Sequence, residues 1–267
     1  MIRGRRVLGV RVDDVTPDET IALARQFIAE RRPRHIVTVN PEFVMEARRN
    51  PAFAAVLNAA DLAVPDGTGI AWACWYAGRP LRSLVRGVEL VEKLAAVGAT
   101  AGWRLFLLGA AEGVAAEAAA VLQQRYPGLQ IAGVFAGRAG PEGDAETTAA
   151  VRAAAPVDLL LVAYGAPAQD LWIARNAAQL GIPLSIGVGG TFDYLSGRVK
   201  RAPRWAIRLG LEWLVRLVRQ PWRWRRQLAL IAFVWAILTQ RRPVRLTARR
   251  LPQAQPGHEP PASREQR

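Results

Sequence analysis

The chain has 267 residues, 51% of them hydrophobic, and carries 36 Lys or Arg against 22 Asp or Glu for a net charge of +14. That is ample material for a large core, while one cysteine excludes an internal disulfide framework and two histidines leave little for a zinc site. The charge is confined to one region: positions 198–250 hold 15 Lys or Arg and one acid, Glu212, whereas 1–197 carry 19 basic and 19 acidic side chains. A neutral body with a cationic arm is expected.

Met1-Ile-Arg-Gly-Arg-Arg6 is not followed by the apolar run of a secretory leader, so a cytoplasmic address is expected. Arg6-Val-Leu-Gly-Val-Arg-Val-Asp13 reads as one or two short strands turning near Gly9. Thr16-Pro-Asp-Glu19 combines an N-cap, a proline at the first helical position and a capping-box glutamate, and predicts a helix through Glu30. His35-Ile-Val-Thr-Val-Asn40 is a strand with a polar end, and helices are expected from Pro41 and from Pro51. Leu62-Ala-Val64 is a buried strand end, stopped by Pro65-Asp-Gly67, and Ile70 begins a helix. Cys74 lies in this apolar stretch and reads as a buried structural thiol.

A helix follows Arg86-Gly-Val-Glu89, then a strand at 103–108, the turn Gly109-Ala-Ala-Glu-Gly113 and an alanine-rich helix to Arg125. Further strands are expected at 130–135, 158–164 and 184–188, separated by helices at about 144–154 and 169–180. Unbroken apolar strands alternating with helices predict a Rossmann-like three-layer α/β sandwich with a mostly parallel sheet, spanning 1–197.

Residues 198–250 read as a helical appendage broken at Pro221 and Pro243, with Leu209, Leu211, Trp213, Leu214 and Leu217 offering a packing face. Five of the nine tryptophans lie here. Its apolar run at 228–238 has 11 residues, whereas crossing a bilayer takes about 20. Flanked by arginines, the run suits an interfacial helix on the anionic cytoplasmic leaflet rather than a nucleic-acid surface. The polar, proline-rich 251–267 reads as a disordered tail.

In a parallel sheet the polar strand ends converge on one edge, where ligands bind. Those ends are Thr38-Val-Asn40, Pro65-Asp-Gly67, 109–113, 165–169 and 187–193. Gly109 and Gly113 could cradle a diphosphate at a helix N-terminus or simply make a tight turn, and there is no P-loop lysine. Asp66 stands either as a ligand-facing carboxylate or as a helix or turn cap.

Taken together, Thr38-Val-Asn-Pro-Glu42, Asp61-Leu-Ala-Val-Pro-Asp-Gly67, Arg86-Gly-Val-Glu-Leu90, Leu107-Leu-Gly109, Gly165-Ala-Pro-Ala-Gln-Asp170, Gly187-Val-Gly-Gly-Thr-Phe-Asp193, Arg201-Ala-Pro-Arg-Trp205 and Gly210-Leu-Glu-Trp213 resemble the WecG/TagA/CpsF family of bacterial glycosyltransferases. The resemblance implies an inverting enzyme at the inner membrane face. It would move an N-acetylhexosamine such as N-acetylmannosamine from a UDP donor to a polyprenyl-diphosphate-linked sugar, in cell-envelope or exopolysaccharide assembly, with no metal and no cofactor. Under it Asp66 is the general base; Thr38, Asn40, Arg86, Gly109, Gln169, Gly189 and Asp193 bind substrate; and Arg216, Arg223 and Arg226 meet the lipid diphosphate. A homo-oligomer is compatible with it. Ala168-Gln169-Asp170 stands where the family often has Lys-Gln-Glu, and Arg138 where it often has an aromatic, departures that bear on donor identity. The alternative is a non-catalytic nucleotide-binding or membrane-scaffolding protein of the same fold. Asp61 reads as structural.

Overall fold

The structure, a computed structural model, describes residues 2–203, 205–206, 212–219, 224–240 and 243–249; within the last three stretches the side chains of 212, 216, 219, 224–227 and 249 lie outside the description. Six strands form one parallel sheet: β3 (Arg34–Val39), β4 (Leu62–Pro65), β5 (Arg104–Gly109), β6 (Gln130–Phe135), β7 (Leu159–Ala163) and β8 (Leu184–Gly187). Their order is β4-β3-β8-β7-β5-β6.

Alternation along these strands feeds two cores. Leu105, Leu107, Leu159 and Leu161 face one side, where α1 (Pro17–Glu30), α5 (Gly87–Ala101), α6 (Val114–Arg125) and α9 (Thr191–Leu195) pack. Phe106, Leu108, Leu160 and Val162 face the other, under α8 (Ala168–Leu180) and α7 (Asp144–Ala153). On that side β3 and β4 are covered by α2 (Pro41–Ala47), α3 (Pro51–Ala59) and α4 (Thr68–Tyr76). Covering both faces is why the strands are apolar without interruption. Each Leu or Ile so buried contributes about 1.5–3 kcal/mol.

The local signals work as their chemistry requires. Thr16 and Glu19 form a reciprocal capping box on α1. Asn40 and Asn50 cap α2 and α3 by accepting the N–H groups of Phe43 and Phe53, with Pro41 and Pro51 at the first helical positions. Asp61 accepts the His35 N–H at 2.9 Å and the Arg34 guanidinium at 2.9 Å, which is the structural role its sequence position suggests. Cys74 is fully buried.

A second sheet is antiparallel, with β1 (Ile2–Val7) between β2 (Val10–Asp13) and β9 (Val244–Arg249). It lies against β4, at one end of the parallel sheet. Asp13 Oδ2 accepts the Ala63 N–H there at 2.8 Å, and Arg11 donates to the Ala60 carbonyl, so polar side chains rather than a further strand satisfy that edge.

The C-terminal region departs from its helical reading. α10 (Glu212–Arg219) and α11 (Trp224–Thr239) are helices, but after Pro243 the chain is strand β9, in register with the whole of β1 from Val7↔Val244 to Ile2↔Arg249. Apolar and polar residues alternate over Val244-Arg-Leu-Thr247, a strand period that proline punctuation obscured. In α11, Phe233 and Ile237 are fully buried against the body, so only part of the apolar run faces outward. Among the helices described, none is long and apolar enough to cross a membrane. Trp213 and Leu214 are partly exposed rather than packed, while Leu209, Leu211 and the tail at 251–267 lie outside the described residues.

Candidate active site

The carboxyl ends of β3, β4, β7 and β8 open into one cleft. Thr38, Asn40, Glu42 and Phe43 come from the end of β3 and the start of α2, and Asp66 from the turn after β4. Arg86, Gly87 and Val88 open α5, and Gly165, Ala166 and Gln169 lead into α8. Val188 through Thr191, Tyr194 and Arg201 complete the wall. The chain leaves β3 outward to β4, yet β3 is met on its other side by the last parallel strand, β8. Such a reversal splays the connections apart and leaves a crevice above the strand ends.

Each wall is fixed by a bond the sequence made available. The Asp66 N–H donates to the Val39 carbonyl at 2.8 Å and Val85 N–H to the Pro65 carbonyl at 2.8 Å, so the Asp66 turn is clamped between β3 and the approach to α5. The N-cap of α4 falls on Gly67, at φ 82°, a left-handed backbone that glycine adopts without strain. Asp66 thus stands one residue before the cap position. Gly87 flanks the carboxylate: a Cβ there would lie 3.9 Å from Asp66 Oδ2, an ordinary van der Waals contact.

Thr38 Oγ1 donates to the Gly187 carbonyl at 3.3 Å, and Gln169 Oε1 accepts the Gly189 N–H at 2.9 Å. Gln169 is buried, and its neighbour Asp170, also buried, meets His35 Nε2 at 3.2 Å. These two side chains press onto Gly187, where even a Cβ would fall 2.5 Å from Gln169 Nε2 and 2.7 Å from Asp170 Oδ1. Glycine at 187 is therefore a packing requirement of the polar layer under the cleft.

Two guanidinium groups share one carboxylate at the rim. Arg201 Nη2 lies 2.8 Å from Glu89 Oε1, and Arg86 Nη1 lies 3.9 Å from the same oxygen. Glu89 is on the first turn of α5, whereas Arg201 follows α9, so the pair ties the root of the C-terminal arm to the cleft wall. Arginine suits such a place because its fork of donors can pair with a carboxylate or a phosphate.

Of the residues singled out in the sequence, Thr38, Asn40, Asp66, Arg86, Gln169 and Gly189 all line the cleft. Gly109 and Asp193 are not in its lining. Gly109, at φ 98°, abuts β7, and a Cβ would be 2.9 Å from the Ala163 carbonyl carbon, so the glycine serves strand packing. The Asp193 carbonyl accepts the Val199 N–H at 3.0 Å in the turn after α9. Arg216 and Arg226 fall on α10 and α11 with side chains outside the description, and Arg223 lies outside the described residues altogether. Sequence reasoning missed Glu42, Tyr194, Arg201 and the bridging Glu89. Arg201 and Glu89 both stood in motifs, but nothing in either motif signals a pairing across 112 positions.

Residues 5–246 match the model of the family described as Glycosyl transferase WecG/TagA/CpsF family. A protein of Bacillus spizizenii is 37% identical over 220 residues, covering 82% of this chain and 84% of the relative. One of Bacillus subtilis is 34% identical over 218 residues, at 82% and 84% coverage. One of Staphylococcus aureus is 30% identical over 243 residues, at 90% and 94% coverage. All three relatives are named N-acetylglucosaminyldiphosphoundecaprenol N-acetyl-beta-D-mannosaminyltransferase.

Proposed function

The chain belongs to the WecG/TagA/CpsF family and is a glycosyltransferase, and from that premise we propose that it moves N-acetylmannosamine from UDP to N-acetylglucosamine carried on undecaprenyl diphosphate, with Asp66 as the general base. The observation that carries the reading is the pairing, in one cleft, of a carboxylate at the β4 turn with two arginines opposite a shared glutamate.

In the reaction, an acceptor hydroxyl oxygen forms a bond to the anomeric carbon while that carbon's bond to the UDP oxygen breaks. The hydroxyl proton passes to the Asp66 carboxylate, and the electron pair leaves with UDP. In-line attack on an α-linked donor inverts the centre and gives the β linkage present in the relatives' names. Arg86 and Arg201 would take up the charge developing on the departing diphosphate, exchanging Glu89 for phosphate oxygens. The cleft, about 170 Å³, is smaller than the roughly 300–1,000 Å³ of sites that engulf a drug-sized ligand. Under the proposal the reacting sugar would occupy the cleft, with the nucleoside and the lipid toward its open side. Under this reading the protein works bound to the inner membrane face, where the acceptor resides, and Arg216, Arg223 and Arg226 approach the lipid diphosphate.

The test is UDP release from UDP-N-acetylmannosamine with a polyprenyl-diphosphate-GlcNAc analogue. Asp66→Asn should lower kcat by roughly 10²–10⁴-fold with the fold intact by circular dichroism. Full activity in Asp66→Asn removes the base assignment, and no release with any UDP-sugar returns the protein to the non-catalytic alternative.

A further inference from the structure

Glu42 lines the cleft without a part in the fold or in the chemistry described so far. Four charged side chains stand in the described lining: Asp66, Arg86, Arg201 and Glu42. Asp66 is assigned the proton, and the two arginines share Glu89. The Glu42 carboxylate is partly buried and makes no hydrogen bond or ion pair with any described residue. Helix α2 does not require it either, since Asn40 Oδ1 accepts the Phe43 N–H at 3.0 Å and Pro41 has no N–H to cap. A carboxylate drawn part-way out of water without a partner costs stability, and a chain keeps such a group where a ligand supplies the partner.

The neighbouring proline fixes where that carboxylate stands. A Cβ on Gly69 would fall 2.5 Å from Pro41 Cγ and 3.6 Å from Leu230 Cδ1, so the starts of α2 and α4 meet beside α11. Glu42 is thus on the α2 side of the cleft, whereas Arg86 opens α5 and Arg201 follows α9. In-line displacement puts the attacking and leaving oxygens on opposite sides of the anomeric carbon. With the departing diphosphate at the arginines, the acceptor sugar falls on the α2 side.

We infer that Glu42 is a specificity-determining residue, accepting hydrogen bonds from hydroxyl groups of the acceptor sugar other than the one that attacks. The inference rests on the proposed reaction and adds the group that orients its acceptor. An ionised carboxylate only accepts, and a hexosamine ring offers hydroxyl donors to it. Asn40 complements it two positions away: its oxygen is taken by Phe43, which leaves its NH₂ to donate to an acetamido carbonyl. The same negative charge repels phosphate, so this end of the cleft takes the sugar and turns away the diphosphate that carries it.

The test sets wild type against Glu42→Ala and Glu42→Gln, using a polyprenyl-diphosphate-GlcNAc analogue and versions of it lacking one ring hydroxyl each. Glu42→Ala should raise the acceptor KM roughly 10–100-fold while the KM for UDP-N-acetylmannosamine stays within about twofold. Its melting temperature should hold or rise, and Glu42→Gln, which keeps an accepting oxygen, should fall between the two. At least one deoxy acceptor should lose a similar factor with wild type and almost nothing with Glu42→Ala, the mark of a direct bond between the two groups. An unchanged acceptor KM in Glu42→Ala, or deoxy losses that are the same in both proteins, would overturn the inference. A lower melting temperature with equal losses for donor and acceptor would make Glu42 structural and overturn it as well. Calorimetric binding of the acceptor analogue separates the contact from the reaction. Weakened binding in Glu42→Ala, in a protein whose wild type turns over no UDP-sugar, would leave the contact standing and remove the proposed transfer.

Discussion

Gly187→Ala is the sharpest probe of the polar layer beneath the cleft. One added methyl would sit 2.5 Å from Gln169 Nε2 and 2.7 Å from Asp170 Oδ1, against the 3.4–4 Å of ordinary contact. Neither neighbour has room to retreat: both are buried, and Gln169 holds the Gly189 N–H while Asp170 holds His35. Overpacking of this kind costs about 1–3 kcal/mol. Displacing Gln169 also breaks its bond to the half-buried Gly189 N–H, which adds about 0.5–1.5 kcal/mol. A loss of about 2–4 kcal/mol is therefore expected, read as a lower urea midpoint at unchanged slope. The decisive measurement is a double-mutant cycle. In a Gln169→Ala background the amide is gone, the clash is reduced to Asp170, and the same glycine substitution should cost about 1–2 kcal/mol less. Additive costs, or a Gly187→Ala loss within about 0.5 kcal/mol, would show that the layer is not packed as described.

Acid should weaken the fold in part through Glu30. Burial, the largest influence, pushes its carboxyl up, but hydrogen bonds from Arg34 and Gln26 and the Arg34 charge outweigh it and hold the group below its ordinary 4.5. A carboxyl depressed in the folded state stabilises above its unfolded value, and that contribution is lost as pH falls through the lower folded one. Glu30→Gln should thus cost about 1–3 kcal/mol at pH 7, with the gap closing below pH 4.5; a gap independent of pH in urea titrations would refute the assignment. Cys74, whose thiol burial pushes up to about 12, should resist a thiol reagent such as Ellman's in the native protein and react in full in guanidinium. Rapid native labelling would contradict its burial.

Much of the fold was legible because its signals are local. The capping box of Thr16 and Glu19, the proline starts at Pro41 and Pro51, and the apolar strands each require only a few neighbouring residues. Five of the six cleft-lining residues were legible for a different reason: parallel strands must end together, so polar strand ends must meet, whereas Arg86, at the start of α5, entered through the family resemblance alone. What escaped depends on distance in sequence. β9 pairs with a strand more than two hundred positions earlier, and Glu89 finds Arg201 through the folding of α9. Gly109 is the converse case. A glycine at a strand end suggests a ligand or a tight turn, and here the position packs on the Ala163 backbone of the next strand.

The pairing of β9 along all of β1 makes the arm a clasp rather than a tail. Whatever path the chain takes after Pro203, it is obliged to return to Val244, so α11 is followed by a strand that fastens it to the body. Cutting the chain short after Pro203 would remove the arm and also strip β1 of one neighbour, exposing a row of backbone groups. A nick between the same points would leave both pieces joined through the small sheet. The two ends of the fold lie side by side, with Ile2 opposite Arg249 and paired Cα atoms about 4.5–5.5 Å apart. A few linking residues would close the backbone into a ring, and the order in which its elements are threaded could then begin elsewhere without disturbing the cleft.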